Sequence, residues 1–248
     1  MKSFSVRFLT GNVLKILGAT LMVVDHVGFV FFPKVMIWRY IGRLAMPIFA
    51  FMIAEGCRYT KDKLRYFLTI AGLGVVCQAV YFLFDDNAYL YNILITFSLG
   101  ILVVFALDYL KRSLINAGVK VWVKILSVLI FLLSIAGVKI FCHFFVVDYG
   151  FWGCMLPAFA SILDFRRVDC ENIKAVDKLF LRVLTFAIGL VIYVLTSPKI
   201  SFSIYSLLAL PLLLLYGGKR GKWKLKYFFY IFYPLHLAVI EGIYMLMI

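Results

Sequence analysis

Charged residues are scarce in this chain: they make up 15% of its 248 residues, against 65% hydrophobic, and the mean hydropathy is +1.01. Soluble domains hold about 25% charged and about 45–50% apolar residues. A water-soluble core of this length could not hide so much apolar side chain. Strict alternation of apolar and polar residues is lacking too. The apolar runs are long and continuous, which argues for helices over a β-barrel, the two structures that satisfy every backbone group in lipid. The five cysteines, Cys57, Cys77, Cys142, Cys154 and Cys170, are odd in number and scattered. Without metal-ligand spacing they read as small buried hydrophobes, and no metal is expected. A cleavable signal is not expected either, because the first apolar segment is about 20 residues long and lacks a small-x-small site. Low-complexity tracts, a soluble domain and an internal repeat are likewise missing, which argues against two duplicated transporter halves.

Acidic residues are the scarcest charge, 12 against 26 Lys and Arg, for a net charge of +14. Such a balance raises a nucleic-acid reading, but the placement of the cations explains it better. Nine apolar stretches, with eight to ten the range considered, lie at about 12–32, 39–57, 64–84, 92–110, 121–139, 149–165, 179–196, 202–216 and 226–247. With the N-terminus cytoplasmic, the inner segments hold 21 of the 26 cations. The outer segments hold only Lys34, Arg39, Lys139 and Lys199, and the outer loop Asp85–Tyr89 has none. Lys/Arg-rich loops stay inside. The expectation is an all-α, multi-pass bundle of one domain, 1–248, in the cell membrane, with the N-terminus cytoplasmic and the C-terminus outside. No nucleic-acid partner is expected. The sixth and eighth stretches are short for a bilayer, and each contains a proline, Pro157 or Pro211, so a broken or re-entrant course is open to both.

Against this background a few ionisable residues stand out. Asp25 and His26 lie in the first stretch, Arg43 and Glu55 in the second. A charge at the centre of a membrane helix costs roughly 2.5–3.5 kcal/mol on insertion scales, so such groups pair, face a polar interior or handle protons and substrates. Asp25 lies about 10 Å from the end of its stretch at 1.5 Å per residue, and Arg43 enters from the same side, so the two can pair. The pair either pins two helices or offers Arg43 to a substrate anion or carbonyl. Adjacent helical residues point about 100° apart, so Asp25 does not orient His26. His26 has an unperturbed pKa suited to a general base. Lys15 precedes His26 by eleven residues, three turns plus about 20°, which places both on one face about 16 Å apart. Lys15 is either a snorkelling interfacial lysine or a phosphate contact. His236, after Pro234, is a second candidate base, in a helix whose proline frees a carbonyl. Asn92 begins the fourth stretch as an N-cap or a pocket group. Tyr149 and Trp152, in a run of aromatics and glycines, either line an acceptor site or belong to an interfacial aromatic belt.

The same residues carry a resemblance. Leu14-Lys15-Ile16-Leu17, Met22 through Gly28, Ile41-Gly42-Arg43 through Phe51, and Ala54-Glu55-Gly56 resemble the TraX family. So do Tyr91-Asn92-Ile93-Leu94 with Gly100, Asp148-Tyr149-Gly150, and Tyr233-Pro234-Leu235-His236. That family is named for a conjugation protein that acetylates the N-terminus of pilin, and is related to membrane acyltransferases of type 3 and to heparan glucosaminide acetyltransferase-like proteins. The resemblance implies that acetyl-CoA, or another acyl-CoA, binds from the cytoplasm and that its acyl group reaches a peptide or glycan acceptor outside. Type 3 acyltransferases carry a basic residue, ten intervening residues and a functional histidine, a spacing that Lys15 and His26 share.

The expected function is therefore an O- or N-acetyltransferase. In it His26 is the base, with Asp25, Arg43 and His236 beside it in the chemistry. Lys15, Arg58 and Glu55 hold the CoA, and Asn92, Tyr149 and Trp152 meet the acceptor. A proton-coupled exporter, or a structural component of an envelope assembly, would use the same polar residues differently.

Overall fold

A computed structural model describes residues 8–84, 90–168, 176–223 and 225–247. The Asp85–Tyr89 loop, Cys170, Lys2 and Arg7 lie outside the described residues. Among the described residues every regular element is helical, and the only β-like pairings are the isolated bridges Leu9 with Tyr216 and Tyr91 with Val147. The helices are α1 (Gly11–Val30), α2 (Met36–Gly42), α3 (Ala45–Tyr59), α4 (Lys63–Phe84), α5 (Ile93–Ile115), α6 (Val121–Phe144) and α7 (Gly150–Ser161). They continue with α8 (Leu179–Thr196), α9 (Ile200–Ser203), a 3-10 segment Ile204–Leu208, α10 (Ala209–Leu214) and α11 (Lys226–Met247). Seven stretches among the described residues are long and apolar enough to cross a membrane: α1, α2 with α3, α4, α5, α6, α8 and α11. The protein is an all-helical, multi-pass membrane protein.

The two short apolar stretches take different courses. The 149–165 stretch holds the 12-residue α7, with Pro157 inside it. The 202–216 stretch is broken into α9, the 3-10 segment and α10. Pro211 lacks the N–H that would bond the Leu207 carbonyl in a continuous α-helix. Ser206 also donates to the Ser203 carbonyl at 2.5 Å, a local bond that competes with helix continuation. The second stretch is two helices as well, α2 and α3, and Pro47 falls in the first turn of α3, where a missing N–H costs nothing.

The chain divides into two compact units, Met1–Met52 with Val194–Ile248, and Ile53–Tyr193. In the first, Thr10 caps α1 by accepting from the Val13 N–H at 3.3 Å. The next two amides, of Gly11 and Asn12, donate to the Lys219 and Arg220 carbonyls at 2.8 and 2.9 Å, so the orphan donors of this helix start are satisfied by a distant loop. Gly221 turns that loop with φ of 96°, a conformation that favours glycine. Helix α1 packs on α2, on the start of α3 and on α11. Gly28 lies against Trp38, and Gly18 against Phe49 and Ile48.

In the second unit α5 is the axis. Of its apolar window 56% is buried, against 11% for α6, which turns Trp122, Ile125, Leu129 and Leu133 outward as a lipid-facing surface. Small residues bring the helices together, as expected where lipid supplies no hydrophobic drive between them. Gly100 on α5 meets α7, Gly189 on α8 sits under the Phe159 ring of α7, and Ser113 bonds Ser127 of α6 at 2.5 Å. Cys57, Cys77 and Cys154 are buried and Cys142 is half-buried; the Cys142 and Cys154 sulfurs lie 3.9 Å apart.

A Cβ on Gly100 would stand 2.5 Å from the Cys154 carbonyl oxygen and 3.1 Å from Pro157. Gly100→Ala is therefore expected to cost about 1–3 kcal/mol. Gly137→Ala on α6, where nothing outside the helix lies within 4 Å, is expected to be neutral or to gain up to about 1 kcal/mol. Thermal unfolding of the two variants in detergent measures the difference.

Candidate functional site

In the first unit Asp25, in the last third of α1, is held by two cations from α2 and its C-cap. Arg39 Nη1 donates to Oδ2 at 3.0 Å and Arg43 Nη2 donates to the same oxygen at 2.7 Å. The two arginines are four residues apart and so share one face of the helical turn. Gly42 lies between them, and a side chain there would overlap the Asp25 carboxylate. The expected pairing of Asp25 with Arg43 forms, and Arg39, read from the sequence as a loop cation, joins it. Aromatic faces cover the guanidiniums: Arg39 lies 4.7 Å from the Phe29 ring centre, and Arg43 lies 4.5 Å from that of Phe202. The side chains of Asp25 and Arg43 are only 11% and 12% exposed, and Asp25 Oδ1 has no hydrogen-bond partner among the described residues.

His26, one residue on, points elsewhere. Its ring meets His236 of α11 edge to face, with centres 5.2 Å apart and planes at 82°. Each imidazole is tethered in the same way. His26 Nδ1 donates to the Met22 carbonyl at 2.8 Å, and His236 Nδ1 donates to the Phe232 carbonyl at 3.1 Å. A carbonyl can only accept, so each Nδ1 carries the proton and a neutral ring keeps its lone pair on Nε2. Phe232 stacks on His236 at 5.2 Å with planes 8° apart, and Tyr233 meets it edge-on. His236 Nε2 is buried with no hydrogen-bond partner among the described residues. The structure thus brings together two histidines that lie 210 positions apart in the chain. Helix α1 runs unbroken from Gly11 to Val30, so Lys15, half-buried, keeps the one-face relation to His26 that the spacing predicts.

The remaining candidates lie in the second unit. Glu55 is buried and accepts from Arg182 Nη2 at 2.5 Å; Arg182 Nε also donates to the Ala160 carbonyl at 3.3 Å. Arg58 is gripped by Asp164 and Asp177, both at 2.6 Å. Asp108 gathers Lys63 at 2.7 Å, Arg167 at 3.4 Å and Arg112. A cavity of about 10 Å³, room for about one water, lies among Arg58, Asp108, Lys111 and Arg167. No short motif announces this network, because its members come from α3, α4, α5, α8 and the segment between α7 and α8.

Asn92 caps α5 by accepting from the Leu94 N–H at 3.0 Å. Its amide donates to the Gly74 carbonyl at 2.8 Å and to Gln78 Oε1 at 3.1 Å, which fastens α4 to α5. Tyr149 holds a left-handed backbone, φ 62°, rare for a bulky residue. Thr96 donates to the Asp148 carbonyl at 2.7 Å and keeps this turn against α5. The Tyr149 ring lies 6.1 Å from that of Tyr193, and Trp152 meets Phe151 edge-on. Among the described residues no group of three or more His, Cys, Asp and Glu side chains is placed to hold a metal.

Removing one partner of a buried ion pair costs about 3–5 kcal/mol, because the other charge stays buried. Asp25→Asn deprives two guanidiniums of their shared carboxylate and is expected to reach that range. Arg43→Gln, which leaves Asp25 with Arg39, is expected to cost less. Detergent unfolding of both variants gives the order, and equal losses would contradict the sharing.

Comparison with known proteins identifies the family of the chain. The family model described as TraX protein matches residues 10–244. The chain is 26% identical over 247 residues to a protein of Dichelobacter nodosus described as "probable fimbrial assembly protein FimC, serogroup H1", covering 92% of each chain. It is also 35% identical over 89 residues to an uncharacterized protein of Rickettsia prowazekii (strain Madrid E), a match that spans 36% of this chain and 34% of that one. No solved structure matches. The family match takes in the Asp25–Arg43 pair and both tethered histidines, and with it the chain belongs to the TraX family.

Proposed function

We propose that the protein is a membrane acyltransferase that moves an acetyl group from cytoplasmic acetyl-CoA to an amine or hydroxyl on the outer side of the cell membrane. The reading includes nine membrane crossings with the N-terminus inside, α7 and the α9–α10 segment being the two short ones. It also includes kinship with the type 3 acyltransferases. The observation that carries the reading is the His26–His236 pair: two imidazoles at 5.2 Å, each with Nδ1 committed to a carbonyl and Nε2 left as the proton acceptor. The fimbrial assembly description of the Dichelobacter nodosus relative supports a pilin-like peptide as acceptor; a cell-envelope sugar needs the same base.

The chemistry balances without a metal. His26 Nε2 takes the proton from the acceptor N–H or O–H as that atom attacks the thioester carbonyl. Arg43, fixed by Asp25, steadies the charge that develops on the carbonyl oxygen. Collapse breaks the C–S bond, and the imidazolium returns its proton to the departing CoA thiolate. His236 faces His26 and modulates or substitutes for it. Lys15 draws the CoA phosphates toward the same helical face.

His26→Ala is expected to lower acetyl transfer by about 10²–10⁴-fold in detergent-purified protein supplied with labelled acetyl-CoA. Lys15→Ala is expected to raise the KM for acetyl-CoA more than it lowers kcat. A wild-type protein that neither binds acetyl-CoA nor releases CoA would sink the enzyme reading, and unchanged affinity in Lys15→Ala would remove Lys15 from it.

A further inference from the structure

A cavity of about 380 Å³ opens in the first unit where α1 ends, between the last turn of α1, the start of α2 and the segment after Lys199. Its size is that of a small-ligand pocket. Its walls combine two kinds of chemistry. Phe29, Tyr40 and Phe202 give it aromatic faces, with Tyr40 itself braced by Tyr205 at 4.3 Å and 15°. Arg39, Lys199 and Ser201 give it two cations and a hydroxyl, and no acidic side chain lines it. The Arg39 guanidinium is not a loose surface charge: it is fixed by Asp25 at 3.0 Å and by the Phe29 face at 4.7 Å. Around the cavity the surface is apolar, with Phe32, Met36 and Ile37 all more than 40% exposed.

A concave site with cations at its polar edge and exposed apolar residues around it is complementary to a molecule with an acidic head and an apolar tail. A guanidinium beside an ammonium and a hydroxyl favours phosphate over carboxylate as that head, since phosphate offers more acceptor oxygens. Basic pockets between transmembrane helices hold lipid headgroups by the same forces, and aromatic residues settle at that depth. We propose that this cavity is a headgroup site for an anionic membrane phospholipid, its phosphate seated between Arg39 and Lys199 and its acyl chains lying along the outward faces of α1 and α2. Through Arg39 the bound phosphate would reach the ion pair that holds Asp25, so the lipid would complete the charge balance of that cluster. The proposal concerns binding alone and does not depend on acyl transfer.

The test uses the full chain in neutral detergent, without acyl-CoA, and reads retained lipid by native mass spectrometry. Phosphatidylglycerol is titrated against diacylglycerol, which has the same chains and no phosphate, and against inorganic phosphate as competitor. The expected result is at least tenfold preference for phosphatidylglycerol, with millimolar phosphate competing poorly. Lys199→Gln, an exposed position whose loss does not threaten folding, is expected to weaken retention about fivefold. Lys139→Gln, an equal loss of charge in the other unit, is expected to leave it unchanged. Equal retention of both lipids overturns the proposal. So does equal weakening by the two lysine variants, which means diffuse charge, and so does effective competition by free phosphate, which means a soluble-anion site. Because no acetyl donor is present, failure here leaves the transferase reading standing, and the reverse also holds.

Discussion

A carboxylate set in an apolar helix must be neutralised where it stands, and Asp25 is neutralised by two guanidiniums delivered from one side. That requirement shapes its surroundings. The second apolar stretch opens with a short helix instead of one straight rod, and its two arginines stand one turn apart to reach one oxygen. Gly42 has no side chain because the carboxylate occupies that space. Phe29 and Phe202 then shield the guanidiniums from lipid. Lost neutralisation here would disturb α1, and α1 also carries His26 and Lys15, so the ion pair holds the frame that positions both.

What the sequence made legible was local. The apolar runs marked the helices to within a few residues, and the eleven-residue step from Lys15 to His26 needed only an unbroken α1. Depth counting from the helix end joined Asp25 to Arg43. The break between α2 and α3 was not read, although Pro47 could have signalled it: a proline in the first turn of a helix places the start of that helix about two residues earlier. Arg39 was assigned to a loop for the same reason, since α2 begins three residues before it. Partners contributed by distant elements had no local signal. Arg182 follows Glu55 by 127 positions and His236 follows His26 by 210, and only tertiary packing brings them together. Asp108 likewise has no local signal for the three cations that surround it.

Two kinds of polar cluster therefore coexist. The second unit answers each buried cation with a carboxylate or a carbonyl: Arg58 with Asp164 and Asp177, Arg182 with Glu55, Lys111 with the Ser161 and Asp164 carbonyls. Networks of this kind fix helix ends in register, although Arg58 Nε and Arg112 Nε have no hydrogen-bond partner among the described residues. The first unit differs in the kind of group left over: there a buried acceptor oxygen, Asp25 Oδ1, and a buried imidazole nitrogen, His236 Nε2, lack hydrogen-bond partners among the described residues. Buried acceptors left open are costly, and they are where a donor from outside the chain would be taken up.

The tethered imidazoles set a further limit on what the histidine pair can transmit. A proton wire passes a proton in at one ring nitrogen and out at the other. In both His26 and His236 the Nδ1 proton is already spent on the ring's own helix, on the carbonyl four residues back. While those bonds hold, each ring loads and unloads at Nε2 alone, and a proton taken from one face returns to that face. A pair tethered in this way is poorly suited to conduct protons from one side of a membrane to the other.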